Sequence, residues 1–159
     1  MKFFFEYNWK IRNEWFNLLK NVPQDELLKE RTGGLGSISK TLFHIIKVEH
    51  NWICDLKGMP ILDIKFSSSF TGLHSIINFS NELNKDVVEY LSNWNDNYEY
   101  KILYLKPENG GDIRCTYAEV LRHLIIHEIH HIGQLSIWVR ELGMKPVSSN
   151  FIHNGLMKN

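Results

Sequence analysis

A chain of 159 residues in which 18 Lys and Arg balance 18 Asp and Glu suits one domain around one core, with no basic field for nucleic acid and no acidic tail. No apolar run approaches the roughly 20 residues of a membrane span. The Phe-rich start is broken by Glu6, Asn8 and Lys10 before a signal sequence could form, so a cytoplasmic protein is expected. Cys54 and Cys115 are too few and too far apart for a disulfide framework or a CxxC metal site.

In chain order, Phe4, Asn8, Ile11, Trp15, Leu18 and Leu19 recur at helical spacing and predict a first helix from Phe3 to about Lys20, ended by Pro23. A short helical turn, 24–30, should follow before the glycines of 32–36. No strand precedes that loop and no P-loop Lys-Ser/Thr follows it, so it is not read as a phosphate cradle. Ser37 is a plausible N-cap for a second long helix to Lys57, stopped by Gly58 and Pro60, with Ile38, Leu42, Ile45, Val48, Trp52, Ile53 and Leu56 as its apolar stripe. His44 stands at the edge of that stripe, and Glu49 on its inner side reads as a hydrogen-bonded structural carboxylate. Residues 59–72 lack periodicity and are long enough to cross a bundle from end to end, which permits a parallel pair of helices.

A third long helix, 73–93, presents Ile76, Phe79, Leu83 and Val87, then Tyr90 or Leu91. Strand-like alternation from Tyr98 to Leu105, with Asn109-Gly110-Gly111 before Ile113 to Cys115, predicts a small hairpin. Thr116 and Glu119 form a capping-box signature for the last helix, 116–142, closed by Gly143 and Pro146. Ile125, Ile126, Ile129, Ile132 and Val139 make it apolar nearly all round, so it is either the most buried helix or carries a dimer contact. Phe151 and Ile152 are possible anchors for an otherwise polar tail, 144–159, that is expected to be loosely ordered; His153 has no evident partner.

The chemistry concentrates in His123-Leu-Ile-Ile-His127-Glu-Ile-His130-His131-Ile-Gly-Gln134. Four residues apart on a helix means about 40° around it, so His127 and His131 share one face and can grip one cation. Val120, Leu124, Gln134, Leu135, Trp138 and Leu142 fall within roughly 50° of their midpoint, which places the pair in an inward-facing stripe where bare imidazoles are costly. His44 is the candidate third ligand, and His123 and His130 are left at the rim. His127 to His131 also spells H-E-x-x-H, the helix motif of zinc peptidases, with Glu128 about 100° away on the flank. Gln134 and Ile137 stand where the extended motif needs Gly and His, which counts against that reading.

Tyr7-Asn8-Trp9, Thr41-Leu-Phe-His44-Ile with Glu49 and Trp52, and His127-x-x-His130-His131-x-Gly-Gln134 together resemble the DinB/YfiT-like family of metal-dependent proteins across most of the chain. Many members carry Arg where Ile132 stands here. The resemblance implies an all-α fold, a four-helix bundle with a crossover between the second and third long helices, and a cation on His44, His127 and His131. It also implies, from characterised members, transfer or isomerisation with a low-molecular-weight thiol such as bacillithiol. Three neutral imidazoles would leave Zn, Ni, Fe or Mn with its charge and an open position for water, hydroxide or a thiolate. The leading expectation is a metal-dependent thiol S-transferase acting on a small electrophile, as a homodimer. A non-catalytic metal-binding protein of stress or DNA-damage response is the second reading, and a zinc hydrolase or peptidase the third.

Overall fold

A computed structural model describes residues 1–106 and 110–152. The chain is mostly helical: α1 (Lys2–Leu19), a short α2 (Gln24–Leu28), α3 (Ile38–Lys57), α4 (Leu73–Ser92) and α5 (Tyr117–Glu141), with strands β1 (Ile102–Leu105) and β2 (Ile113–Thr116) ahead of α5. The predicted ends of α3 and α5 hold. Ser37 Oγ accepts from the Lys40 amide at 3.2 Å, and Gly58 takes the left-handed φ of 66° that a side chain would resist. Both capping-box bonds of Thr116 and Glu119 form, at 3.1 and 2.6 Å.

β1 and β2 pair antiparallel, with Leu103 opposite Cys115. Tyr98, read as strand, instead closes a 3₁₀ turn, Asp96–Tyr98, whose start Asn95 caps with its side chain. That local bond competes with the strand pattern. Asn109 of the expected turn and His153 of the tail lie outside the described residues. α2 stops at Leu28 rather than Glu30.

The core has two apolar halves. One gathers Trp15 and Leu19 of α1 with Ile38 and Leu42 of α3, Ile76 and Phe79 of α4, and Leu135 and Val139 of α5. The other gathers Phe5 with Ile53, Leu56, Val87, Leu91 and Leu121. The early residues of α3 and α4 thus share one half and their late residues the other. Phe43 stacks on Phe79 and His50 meets Asp86, so α3 and α4 run parallel. Residues 59–72 make the return journey: Asn51 of α3 donates to the Leu62 carbonyl and accepts its N–H, which holds the segment along the outer face of α3.

Two expectations about faces need correction. Phe5, not Phe4, is the buried residue at the start of α1, while Phe4 packs against Phe151. In α5 the expected inward stripe is buried at Val120, Leu124, His131, Leu135 and Trp138, but His127 is only half-buried and the buried face extends further, over Leu121, Ile125, Glu128, Ile132 and Val139. A helix apolar nearly all round does not reveal by periodicity how wide its buried face is. Of the isoleucines on its other side, Ile126 and Ile137 are 66% and 59% exposed. The tail folds back: Tyr7 donates to the Ser149 carbonyl at 2.6 Å, and Phe151 contacts Phe3, Phe4 and Tyr7. No helix among the described residues is long and apolar enough to cross a membrane.

Candidate metal centre

α3 and α5 pack against each other and bring His44 to the edge where His127 and His131 project. His127 Nε2 lies 3.0 Å from His44 Nε2 and 3.1 Å from His131 Nε2, and all three ring nitrogens fall within 4.8 Å of one another. A cation bound at about 2.0–2.1 Å to each nitrogen spans such separations without rearrangement.

Proton bookkeeping sharpens the fit. Gln134 Oε1, an acceptor, lies 2.8 Å from His131 Nδ1, so that nitrogen carries the hydrogen. The Gln134 amide nitrogen lies 3.1 Å from His130 Nε2, to which it donates when that nitrogen is unprotonated. A neutral His131 therefore turns an unprotonated Nε2 towards His127. Two nitrogens face His127 Nε2, which has at most one proton to give, so the cluster keeps more lone pairs than hydrogens at its centre. A cation bound there would satisfy it.

Electrostatics agree. Burial, then the neighbouring His131 and Lys47, lowers the His44 pKa to about 4. Burial and the surrounding histidines lower His127 to about 3, and His131 is lowered mainly by burial. All three are neutral imidazoles near pH 7, the form that ligates metals.

Glu128 is the main surprise. It is 2% exposed and turns towards α1, where Arg12 Nε and Nη2 donate to its two oxygens at 2.8 and 2.6 Å. Arg12 also binds Glu49 of α3 through Nη1 and Nη2 at 3.0 and 3.1 Å, and Trp9 Nε1 donates to Glu49 at 3.1 Å. Burial works against the Arg12 charge, but Glu128 and Glu49 outweigh it and raise its pKa. Burial, together with the Glu49 charge, raises the Glu128 pKa even beside Arg12, since two carboxylates share one guanidinium. These residues form a polar layer between the two apolar halves of the core. Glu128 is thus neither on the flank of the histidines nor free to act on water beside them.

The expected structural carboxylate Glu49 is one, and Arg12 and Gln134 are the partners that periodicity alone does not single out. A charged residue four after the buried Asn8 was the available signal for Arg12. His123 is exposed and meets Trp52 edge-on at the border of a cavity of about 380 Å³.

With this geometry in view, residues 1–157 match the model of the DinB family. The chain belongs to the DinB family. An uncharacterized protein, YizA, of Bacillus subtilis (strain 168) is 41% identical over 94% of this chain and 92% of that one. Protein DinB of the same organism is 21% identical over 92% and 88%. A crystal structure of a DinB-like protein from Bacillus cereus ATCC 10987 superposes with a TM-score of 0.67 at 20% identity, covering 91% of each chain, and bears on the fold alone.

Proposed function

We propose that this protein holds a divalent cation on His44, His127 and His131 and uses it to activate a low-molecular-weight thiol against a small electrophile. The observation that carries the metal half is the convergence of three neutral imidazole nitrogens, one of them fixed by Gln134. When bound, a divalent cation supplies a Lewis-acid position that lowers the pKa of a water or thiol placed on it. The chain's own contribution is to orient. Gln134 sets the His131 tautomer, α3 and α5 hold the ring positions, and two cavities border the centre at His44. The thiol half is supported by the resemblance to family members that act with such thiols. We read the parallel α3 and α4 and their return segment as the crossover of a four-helix bundle.

Two alternatives rank lower. A non-catalytic metal-binding role in stress or DNA-damage response uses the same site without turnover. A peptidase needs a glutamate facing the cation, and Glu128 has both oxygens on Arg12. We further propose a cytoplasmic homodimer, with Phe4, Ile126, Ile129 and Ile137 as the exposed apolar face available to a second copy.

The test is elemental analysis of protein purified without a His-tag, then conjugation assays with thiol and electrophile pairs, beside His127→Ala. One equivalent of metal and turnover, both lost in the variant with the fold intact, support the proposal. Metal without turnover on any pair supports the non-catalytic reading, and absence of metal from both proteins overturns all three.

A further inference from the structure

Lys40, His44, Lys47, Asn51 and Asp55 recur at four- and three-residue spacing and share the outer face of α3. Because Asn51 clips Leu62 by two hydrogen bonds, residues 64–66 are carried back beside His44. Between the two segments lies a cavity of about 300 Å³, at the lower end of the range for small-molecule sites, about 300–1,000 Å³. Its apolar wall is Phe43, Ile64 and Phe66, with the Phe43 and Phe66 rings 5.6 Å apart. Its polar lining is His44 and three lysines, Lys40, Lys47 and Lys65, with no carboxylate.

Lys40 has an exposed partner in Glu30 at 3.2 Å. Among the described residues no carboxylate lies within ion-pairing distance of Lys47 or Lys65. Lysines that merely cover apolar surface are common, their stems on the hydrocarbon and their heads in water. Here two without a carboxylate partner border the same aromatic-walled cavity as a candidate metal ligand. A second cavity, of about 310 Å³, opens across His44 and Lys47 but includes Asp55, so it lacks this uniform sign.

We propose that the Phe43–Phe66 cavity binds a small organic anion with an apolar body, its acidic group held by Lys47 and Lys65 and its other end beside His44. This names the substrate class of the proposed site and rests on the metal reading only for what lies at the His44 end. Attraction by two partly solvated ammonium groups gives a modest preference, about fivefold for acid over neutral isostere, that falls with ionic strength.

The probes are 3-phenylpropanoate and 3-phenylpropanamide, titrated calorimetrically into metal-free and zinc-loaded full-length protein, with zinc affinity measured separately. The expected result is that the acid binds about fivefold more tightly than the amide in both forms. Lys47→Gln with Lys65→Gln abolishes the preference, Lys47→Arg with Lys65→Arg keeps it, and zinc affinity stays within about threefold in all. Equal affinities, no detectable binding of the acid, or a preference that survives the glutamine pair overturns the proposal. So does a preference present only with zinc, which puts the acid on the cation. If zinc does not bind, the metal reading fails, while the preference in the metal-free chain still decides this one.

Discussion

Arg12, Glu49 and Glu128 on the α1 side of the α3–α5 contact, and His44, His127 and His131 at its edge, are two polar clusters borne largely by the same pair of helices. In the first, every guanidinium nitrogen donates to a carboxylate, and Trp9 adds a further bond. In the second, the ring nitrogens approach one another at hydrogen-bond distance with too few hydrogens to go round. A buried network that completes itself serves the fold, whereas one that stays short of partners at a half-open edge is set up for an outside ligand. The same motif, H-E-x-x-H, is thereby divided between the two, its histidines to one task and its glutamate to the other.

The largest effect should come from breaking the closed cluster. Arg12→Met strands two carboxylates among apolar neighbours and should cost about 3–5 kcal/mol, read as a fall in the urea midpoint of unfolding. Combining it with Glu49→Leu and Glu128→Leu should recover most of that loss, because an apolar replacement of a buried charge triad is often neutral or better. If Arg12→Met alone is harmless, the cluster is not the closed network described.

The open cluster should respond the other way. His127→Ala removes a nitrogen that faces both other rings, so the metal-free protein should keep its stability within about 1 kcal/mol. Cation affinity should drop by at least about 100-fold, since a ligand matters more than the outer partners worth 10–100-fold. Competition with a chromophoric chelator measures it. Equal affinity in wild type and variant would remove His127 from the site.

Much of this was legible beforehand, for identifiable reasons. Caps and breakers are local chemistry, so Ser37, Gly58 and the Thr116–Glu119 box marked helix ends that the structure keeps. Four-residue spacing paired His127 with His131, and the place of His44 at the edge of the second long helix's stripe made it the candidate third ligand, the same residue that the family resemblance implies. The inward stripe of α5 was legible, but how far burial extends beyond it was not, because isoleucines lie on nearly every side and only the packed neighbours decide which are covered. Arg12 was hidden for a related reason: a lone arginine in an apolar stripe reads as a flank residue until Glu49 and Glu128, 37 and 116 positions away, arrive on either side of it.

Gln134→Leu tests the open cluster from its outer side. It leaves the three ligands in place but removes the acceptor that keeps the hydrogen on His131 Nδ1, so Nε2 becomes free to carry it instead. Cation affinity should fall about 10–100-fold, less than for His127→Ala. Gln134→Glu, which keeps the acceptor, should retain affinity.

The smallest effect is the pH dependence of the metal-free fold, and its sign follows from depressed histidine pKa values. Above an ordinary histidine pKa of about 6.5, folded and unfolded chains are both neutral at these positions and no stability is lost. Below it the unfolded chain takes up protons that folded His44 and His127 refuse until about pH 4 and about pH 3, so stability declines through that window. Glu128, raised instead, works in the opposite sense as the pH falls through its own titration, which blunts the decline at the acid end. Saturating cation should steepen the loss, because protons then compete for the nitrogens and metal release is added to it. Thermal midpoints measured from pH 7 to 4 in chelator and in excess zinc should converge at the acid end. Curves that stay parallel, or a chelator curve flat across the window, would mean that the three imidazoles are not the neutral, inward-facing set that the comparison requires.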